Sequence, residues 1–215
     1  MELAKFKFIS PSTCIVVGST GSGKTRFTFN VLRNRTKMFE KPVDRILYCF
    51  NTYQDIFNKY NDFVEFHKGL PDKDFLSAWC AENPSSHKVL VIDDLMNEIN
   101  IETSKLFTVY SHHKNITVLF LMQNLFFQHK VMRTISLNTQ YIVIFNLKRD
   151  YSQIRTLSCQ LFSPGENKEF QNIYKNAVAQ PYSYLMIDIH PANKYRIALR
   201  ENIFPDEIET IYTPK

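Results

Sequence analysis

Glycine is scarce in this chain, with five residues in 215, against an average usage near ~7%. Few positions are therefore built for positive φ or for close backbone approach. Four cysteines, Cys14, Cys49, Cys80 and Cys159, stand far apart. They form no C-x-x-C pair and no Cys/His ligand spacing, which argues against a structural zinc site. They read as reduced thiols of an intracellular protein, mostly buried in strands. No apolar run reaches the ~18 residues of a membrane span, so no membrane partner is expected. The N-terminal MELAKFKFIS lacks an apolar h-region, so no secretory leader is expected. Repeats, low-complexity tracts and long linkers are also missing, and the length fits one domain over residues 1–215.

What is present is concentrated. Three of the five glycines, Gly18, Gly21 and Gly23, fall within six residues. Net charge is only +5, yet the stretch 126–160 holds Lys130, Arg133, Lys148, Arg149 and Arg155 against the single acid Asp150. Such a local basic excess favours an anionic partner, either nucleotide or nucleic acid.

Hydrophobic patterning predicts an α/β fold. Apolar runs at Thr13–Val17, Arg45–Phe50, Lys88–Ile92, Ile116–Met122 and Tyr141–Leu147 read as buried strands. Helical spacing is seen over Lys24–Arg35, Asp72–Ala81 and Glu102–His113, and short helices are expected within Asn51–Gly69. Continuous rather than alternating runs, separated by helices, point to a parallel sheet covered on both faces. Tyr182–Ile189 and Tyr195–Leu199, around His190-Pro191-Ala192-Asn193, predict a C-terminal β-hairpin.

Gly18-Ser19-Thr20-Gly21-Ser22-Gly23-Lys24-Thr25 matches G-x-x-x-x-G-K-[ST] in full, after a predicted strand and at the start of a predicted helix. The backbone N–H groups of such a loop form a nest around phosphates, helped by the helix N-terminus. Lys24 would reach the β- and γ-phosphates of ATP, and the Thr25 hydroxyl would ligate Mg²⁺. The run Val89-Leu90-Val91-Ile92-Asp93-Asp94 delivers two carboxylates to a strand's C-terminal end, where ligands bind in open α/β sheets. Asp93 is the candidate Mg²⁺ partner and Asp94 the candidate water-polarising base. Gln123, directly after Ile116–Met122, is placed to sense the γ-phosphate or the attacking water. One complete strand, Arg45–Phe50, separates the phosphate-loop strand from the acidic strand. This suggests the additional-strand (RecA-like) P-loop NTPases, with sheet order 5-1-4-3-2. His112 and His113 are adjacent on a helix and so diverge by ~100°; they read as structural rather than metal-binding.

Together, GSTGSGKT, VLVIDDL, SHHKNITVLFLMQNLF and LNTQYIVIF resemble the genome-packaging ATPases of poxviruses and other large DNA viruses. The versions in Polinton/Maverick elements, adintoviruses and virophages are especially similar. These belong to the FtsK/HerA superfamily, and the resemblance runs from about Cys14 to Ile189. It implies a homo-oligomeric ring that hydrolyses ATP and drives double-stranded DNA, independent of sequence, into a preformed capsid. The expected partners are DNA and capsid proteins, inside the host cell and in association with the virion. It also supports the roles given to Lys24, Thr25, Asp93, Asp94 and Gln123. Many superfamily relatives carry Glu where this chain has Asp94, which shortens the reach to water by one methylene. Ring motors of this kind complete each site with an arginine from the neighbouring subunit. Arg149 and Arg155 are the first candidates here, followed by Arg133. Lys130, Arg133 and Lys114 are candidates for tracking DNA phosphates. Three other readings stand beside this one: a cellular DNA translocase of the same superfamily, a small-molecule P-loop kinase, and a non-hydrolysing nucleotide-binding scaffold.

Overall fold

The computed structural model describes residues 5–213. Its elements follow the apolar runs. The strands are β1 (Thr13–Val17), β2 (Val43–Phe50), β3 (Glu65–Lys68), β4 (His87–Asp93), β5 (Ile116–Met122), β6 (Tyr141–Phe145), β7 (Tyr184–Asp188), β8 (Ala198–Glu201) and β9 (Thr210–Tyr212). The helices are α1 (Lys24–Arg33), α2 (Arg35–Met38), α3 (Lys73–Ala81), α4 (Ile101–Lys105), α5 (Ser111–His113), α6 (Met132–Leu137), α7 (Ser152–Leu161) and α8 (Asn167–Ala177), with a 3₁₀ turn at Asp55–Lys59.

All nine strands form one sheet in the order β3-β2-β4-β5-β1-β6-β7-β8-β9. Strands β3 to β6 in that row are parallel, whereas β7, β8 and β9 are antiparallel additions. Over the five strands expected to be parallel, the order is 5-1-4-3-2. Side chains alternate strictly across the sheet. Ile15, Val17, Leu90, Ile92, Phe120 and Met122 face one core, beneath α3 to α8. Cys14, Val16, Val89, Val91, Leu119 and Leu121 face the other, beneath α1 and α2. Burial on both faces is why these strands read as continuous apolar runs.

Four expectations need correction. The stretch 51–69 is not purely helical. It holds the 3₁₀ turn and then β3, an edge strand too short and too polar to show a pattern. Its pairing with β2 is pinned by Arg45, which donates to both Glu65 carboxylate oxygens at 2.8 Å, and by Phe66 stacked on Phe57 at 4.7 Å. The hairpin is real, but its second strand starts at Ala198, because Arg196 turns away to donate to the Leu161 carbonyl at 2.9 Å. A third strand, β9, is added, and Arg200 ties all three together through Asp188 (3.1 Å) and Glu209 (2.6 Å). The cysteines are only half in strands: Cys14 and Cys49 are, whereas Cys80 and the exposed Cys159 are helical. Where one helix was expected over Glu102–His113, α4 passes into α5 through a π-helical segment, Leu106–Tyr110.

Helix α1 is fastened to the sheet by rings. Phe29 lies parallel to Tyr48 of β2, with centroids 5.1 Å apart, and stacks on Tyr60 at 4.2 Å on its other side. Both Phe29 and Tyr48 are fully buried. Replacing Phe29 with Ala should cost about 3–5 kcal/mol of stability, the usual loss for a buried aromatic. Urea unfolding of the variant measures this, and an unchanged midpoint would mean that the stack holds nothing together.

Candidate nucleotide site

Strand order assembles the site. Strand β5 pairs with β1 on one side and β4 on the other, so Val17 lies opposite Met122 and Asp93 opposite Leu121. The C-terminal ends of the three strands therefore stop at one level. Asp93 is the last residue of β4, Gly18, Asp94 and Gln123 follow directly from the three ends, and the Gly18 N–H donates to the Met122 carbonyl at 3.2 Å.

The loop 18–23 bends where glycine permits it. Gly23 sits at φ 112° as the N-cap of α1, a left-handed conformation that costs other residues dearly. Gly18 answers a packing need: a Cβ there would lie 2.7 Å from the Cβ of Phe145 and would also strike the Ser22 hydroxyl. Inside the loop, Lys24 Nζ donates to the carbonyls of Gly18 (2.7 Å) and Ser19 (3.2 Å). Burial pulls the Lys24 ammonium below its ordinary pKa, and the charges of Asp93 and Asp94 oppose that shift. The Ser22 hydroxyl is buried without a hydrogen-bond partner. A buried orphan donor beside a cationic nest suits an anion.

Asp93 is buried at the end of β4, and its Oδ2 accepts from the Tyr48 hydroxyl at 2.6 Å. Tyr48 thus holds one of the two expected metal ligands, Asp93. It was not foreseen as a site residue, because within Arg45–Phe50 it reads only as one more apolar strand position. The Thr25 hydroxyl and the Asp93 carboxylate are hard oxygen donors, the chemistry that fits Mg²⁺.

Asp94 points the other way. It is exposed and adopts a left-handed backbone at φ 55°, which aspartate tolerates better than most residues. Its Oδ1 accepts from Gln123 Nε2 at 3.0 Å. The two residues expected to handle water and γ-phosphate are therefore already coupled.

The arginines are not gathered in. Arg149 lies exposed in the turn after β6, and Arg155 is exposed on α7, 6.0 Å from the Tyr151 ring. Arg133, Lys130 and Lys114 are likewise exposed, as are His112 and His113 at the end of α5. Among the described residues, none of these arginines is ion-paired within the chain. Lys148, which sequence reading placed only within a basic stretch, lines a cleft of about 330 Å³ together with Ser19, Thr20, Gly21 and Ser22.

Burial raises the Asp93 pKa above its ordinary value. The Tyr48 hydrogen bond and the Lys24 charge offset part of this, and Asp94 adds to it. A raised folded-state pKa means that the folded chain binds the proton more tightly than the unfolded chain does. Ionised Asp93 therefore lowers stability progressively as pH rises from the usual carboxylate range through its shifted value. Asp93→Asn should raise the melting temperature at neutral pH, and the gain should vanish below about pH 4. Thermal unfolding across pH tests this; a gain independent of pH would refute the electrostatic cause.

No protein-family model matches the chain, and no curated protein matches it in sequence. Solved structures do match. The genome packaging NTPase B204 from Sulfolobus turreted icosahedral virus 2, in complex with sulfate, superimposes with a TM-score of 0.57 at 14% identity, covering 95% of this chain and 98% of that one. B204, the DNA-packaging ATPase from Sulfolobus turreted icosahedral virus, gives a TM-score of 0.56 at 11% identity, with the same coverage. The cytoplasmic domain of EssC gives 0.50 at 12% identity, over 95% of this chain but 40% of that one. At these identities the shared property is the fold, and this chain has the α/β fold of the packaging NTPase B204 over nearly the whole length of both.

Proposed function

We propose that this chain is an ATP-hydrolysing motor that drives double-stranded DNA into a viral capsid. The observation that carries the ATPase reading is the convergence of Lys24, Thr25, Asp93, Asp94 and Gln123 on one sheet edge. The loop 18–25 would hold the phosphate chain, with Lys24 Nζ exchanging the carbonyls of Gly18 and Ser19 for phosphate oxygens. Thr25 and Asp93 would hold Mg²⁺, which when bound neutralises charge on the β- and γ-phosphates. Tyr48 keeps Asp93 oriented by donating to Oδ2. Asp94 would accept a hydrogen bond from the attacking water and aim its oxygen at the γ-phosphorus, while Gln123 holds the carboxylate in place.

Packaging as the purpose of that hydrolysis rests on the fold shared with B204, a DNA-packaging ATPase, and on the resemblance in sequence. In this reading the chain works inside the host cell as a homo-oligomeric ring, with DNA and capsid proteins as partners. The exposed Arg149 and Arg155 are free to reach a neighbouring subunit's site, where an arginine stabilises charge on the transferred phosphoryl.

Hydrolysis of ATP by the purified chain, with and without long duplex DNA, tests the proposal. Turnover should rise with DNA of any sequence. Lys24→Ala and Asp94→Asn should each lower it by at least about 100-fold. Turnover indifferent to DNA would refute the motor, and transfer of phosphate to an added metabolite would favour a kinase. A second outcome concerns the DNA track. Lys130→Gln should flatten the plot of log affinity against log salt by about one unit on random-sequence duplex. An unchanged slope would remove Lys130 from the phosphate path.

A further inference from the structure

We propose that the ring of Tyr182, backed by Arg26, is the platform on which the base of the bound nucleotide stacks. This rests on the nucleotide reading above and extends it from the phosphates to the nucleoside. The polarity of the site fixes where the base must lie. Asp93, Asp94 and Gln123, at the ends of β4 and β5, mark the γ-phosphate end. The nucleoside therefore leaves the loop on the opposite side of β1, toward β6 and β7.

Tyr182 stands on that side, two residues before β7 begins. Three features set it apart from an ordinary surface tyrosine. It is held at φ 65°, a conformation that a bulky side chain rarely adopts. Even so, its side chain is presented to solvent rather than packed away, at 58% exposure. The turn that holds it is closed by Ser183, whose N–H and hydroxyl both donate to the Gln180 carbonyl, at 3.3 and 2.7 Å. The structure thus maintains a strained, exposed aromatic that contributes little to the core.

Its neighbours are those of a nucleotide site. A Cβ on Gly23, the last glycine of the phosphate loop, would lie 3.2 Å from Tyr182 Cδ1, so the ring abuts the loop itself. The Arg26 guanidinium carbon lies 5.7 Å from the ring centroid, within cation–π range. Arg26 directly follows Thr25 on the first turn of α1, where the α-phosphate end of the chain would arrive. Tyr182 also walls two clefts, the one containing Lys148 and a second of about 470 Å³ alongside α1. The second is lined by Gly23, Arg26, Asn30, Tyr184 and Phe204 as well as Tyr182. That volume is within the usual range for small-molecule sites, about 300–1,000 Å³. A flat base laid on Tyr182 there would gain stacking on one face, and its polar edge would meet the Asn30 amide. Stacking is tolerant of base identity, so the platform favours a nucleotide over a bare phosphate chain without selecting one base strictly.

Calorimetric titration with Mg-ATP and, separately, with inorganic tripolyphosphate tests this on the full chain. Asparagine accepts the left-handed backbone, so Tyr182→Asn removes the ring and keeps the turn. It should weaken ATP binding about tenfold and leave tripolyphosphate binding unchanged. Tyr182→Phe should keep ATP affinity within about twofold, because the stacking face survives. Tyr182→Gly, which also accepts the left-handed backbone, gives a second reading of the same selectivity should Tyr182→Asn fold poorly. Unchanged ATP affinity in Tyr182→Asn, or a parallel loss of both ligands, would overturn the proposal. Equal affinity of the wild type for both ligands would also overturn it, while leaving the phosphate-loop reading standing. A wild type that binds neither would defeat that reading and this one together.

Discussion

The insertion of β5 between β1 and β4 is the constraint on which the site depends. Were β4 the direct neighbour of β1, the residue after β5 would emerge at the far side of Asp93. With β5 in between, Gln123 arises between the phosphate loop and the acidic pair, and the hydrogen bond from Gln123 to Asp94 becomes possible. The registers of Val17 with Met122 and of Asp93 with Leu121 then bring the chain ends to one height. Nothing in the loop alone would produce this. A phosphate nest is a local property of backbone, whereas the convergence of a cation, two carboxylates and an amide is a property of topology.

Within that frame the two carboxylates have opposite environments. Asp93 is buried, gripped by Tyr48 and close to Lys24, so its charge is held at a cost in solvation. Asp94 is exposed on a strained backbone and bonded only to an exposed amide. In the proposed mechanism, a group that holds a cation benefits from fixed geometry, and one that meets water benefits from access. The division follows from position: Asp93 is the last residue of β4 and Asp94 the first residue beyond it.

Much of the fold was legible because both faces of the sheet are covered, and five strands announce themselves as uninterrupted apolar runs. The shape of the loop 18–23 was legible because its glycines are needed by geometry, as at Gly18 and Gly23. The rest was hidden for physical reasons. Strand β3, Glu-Phe-His-Lys, is half exposed at an edge and is held by the Arg45–Glu65 ion pair, which no periodicity reveals. Strand β9 is three residues long. The π segment Leu106–Tyr110 alters the hydrogen-bond spacing while keeping Leu106 and Phe107 inward, so its pattern still reads as helix. Tyr48 could not be distinguished from its neighbours, since burial and site contact make the same demand for a large ring. Tyr182 lies in a turn with no motif.

The stack of Tyr60, Phe29 and Tyr48 has a consequence for how this sequence can drift over generations. Tyr48 answers to two partners at once: its hydroxyl to Asp93, and its ring face to Phe29. Phe29 in turn is sandwiched, with Tyr60 on its other side. Phe29 lies on α1, Tyr48 on β2 and Tyr60 just after the 3₁₀ turn, and a change in the size or plane of Phe29 would loosen both of its partners. The three should therefore behave as one inherited unit. Descendants would keep all three, or exchange them together for another set of flat side chains that still places a donor against Asp93.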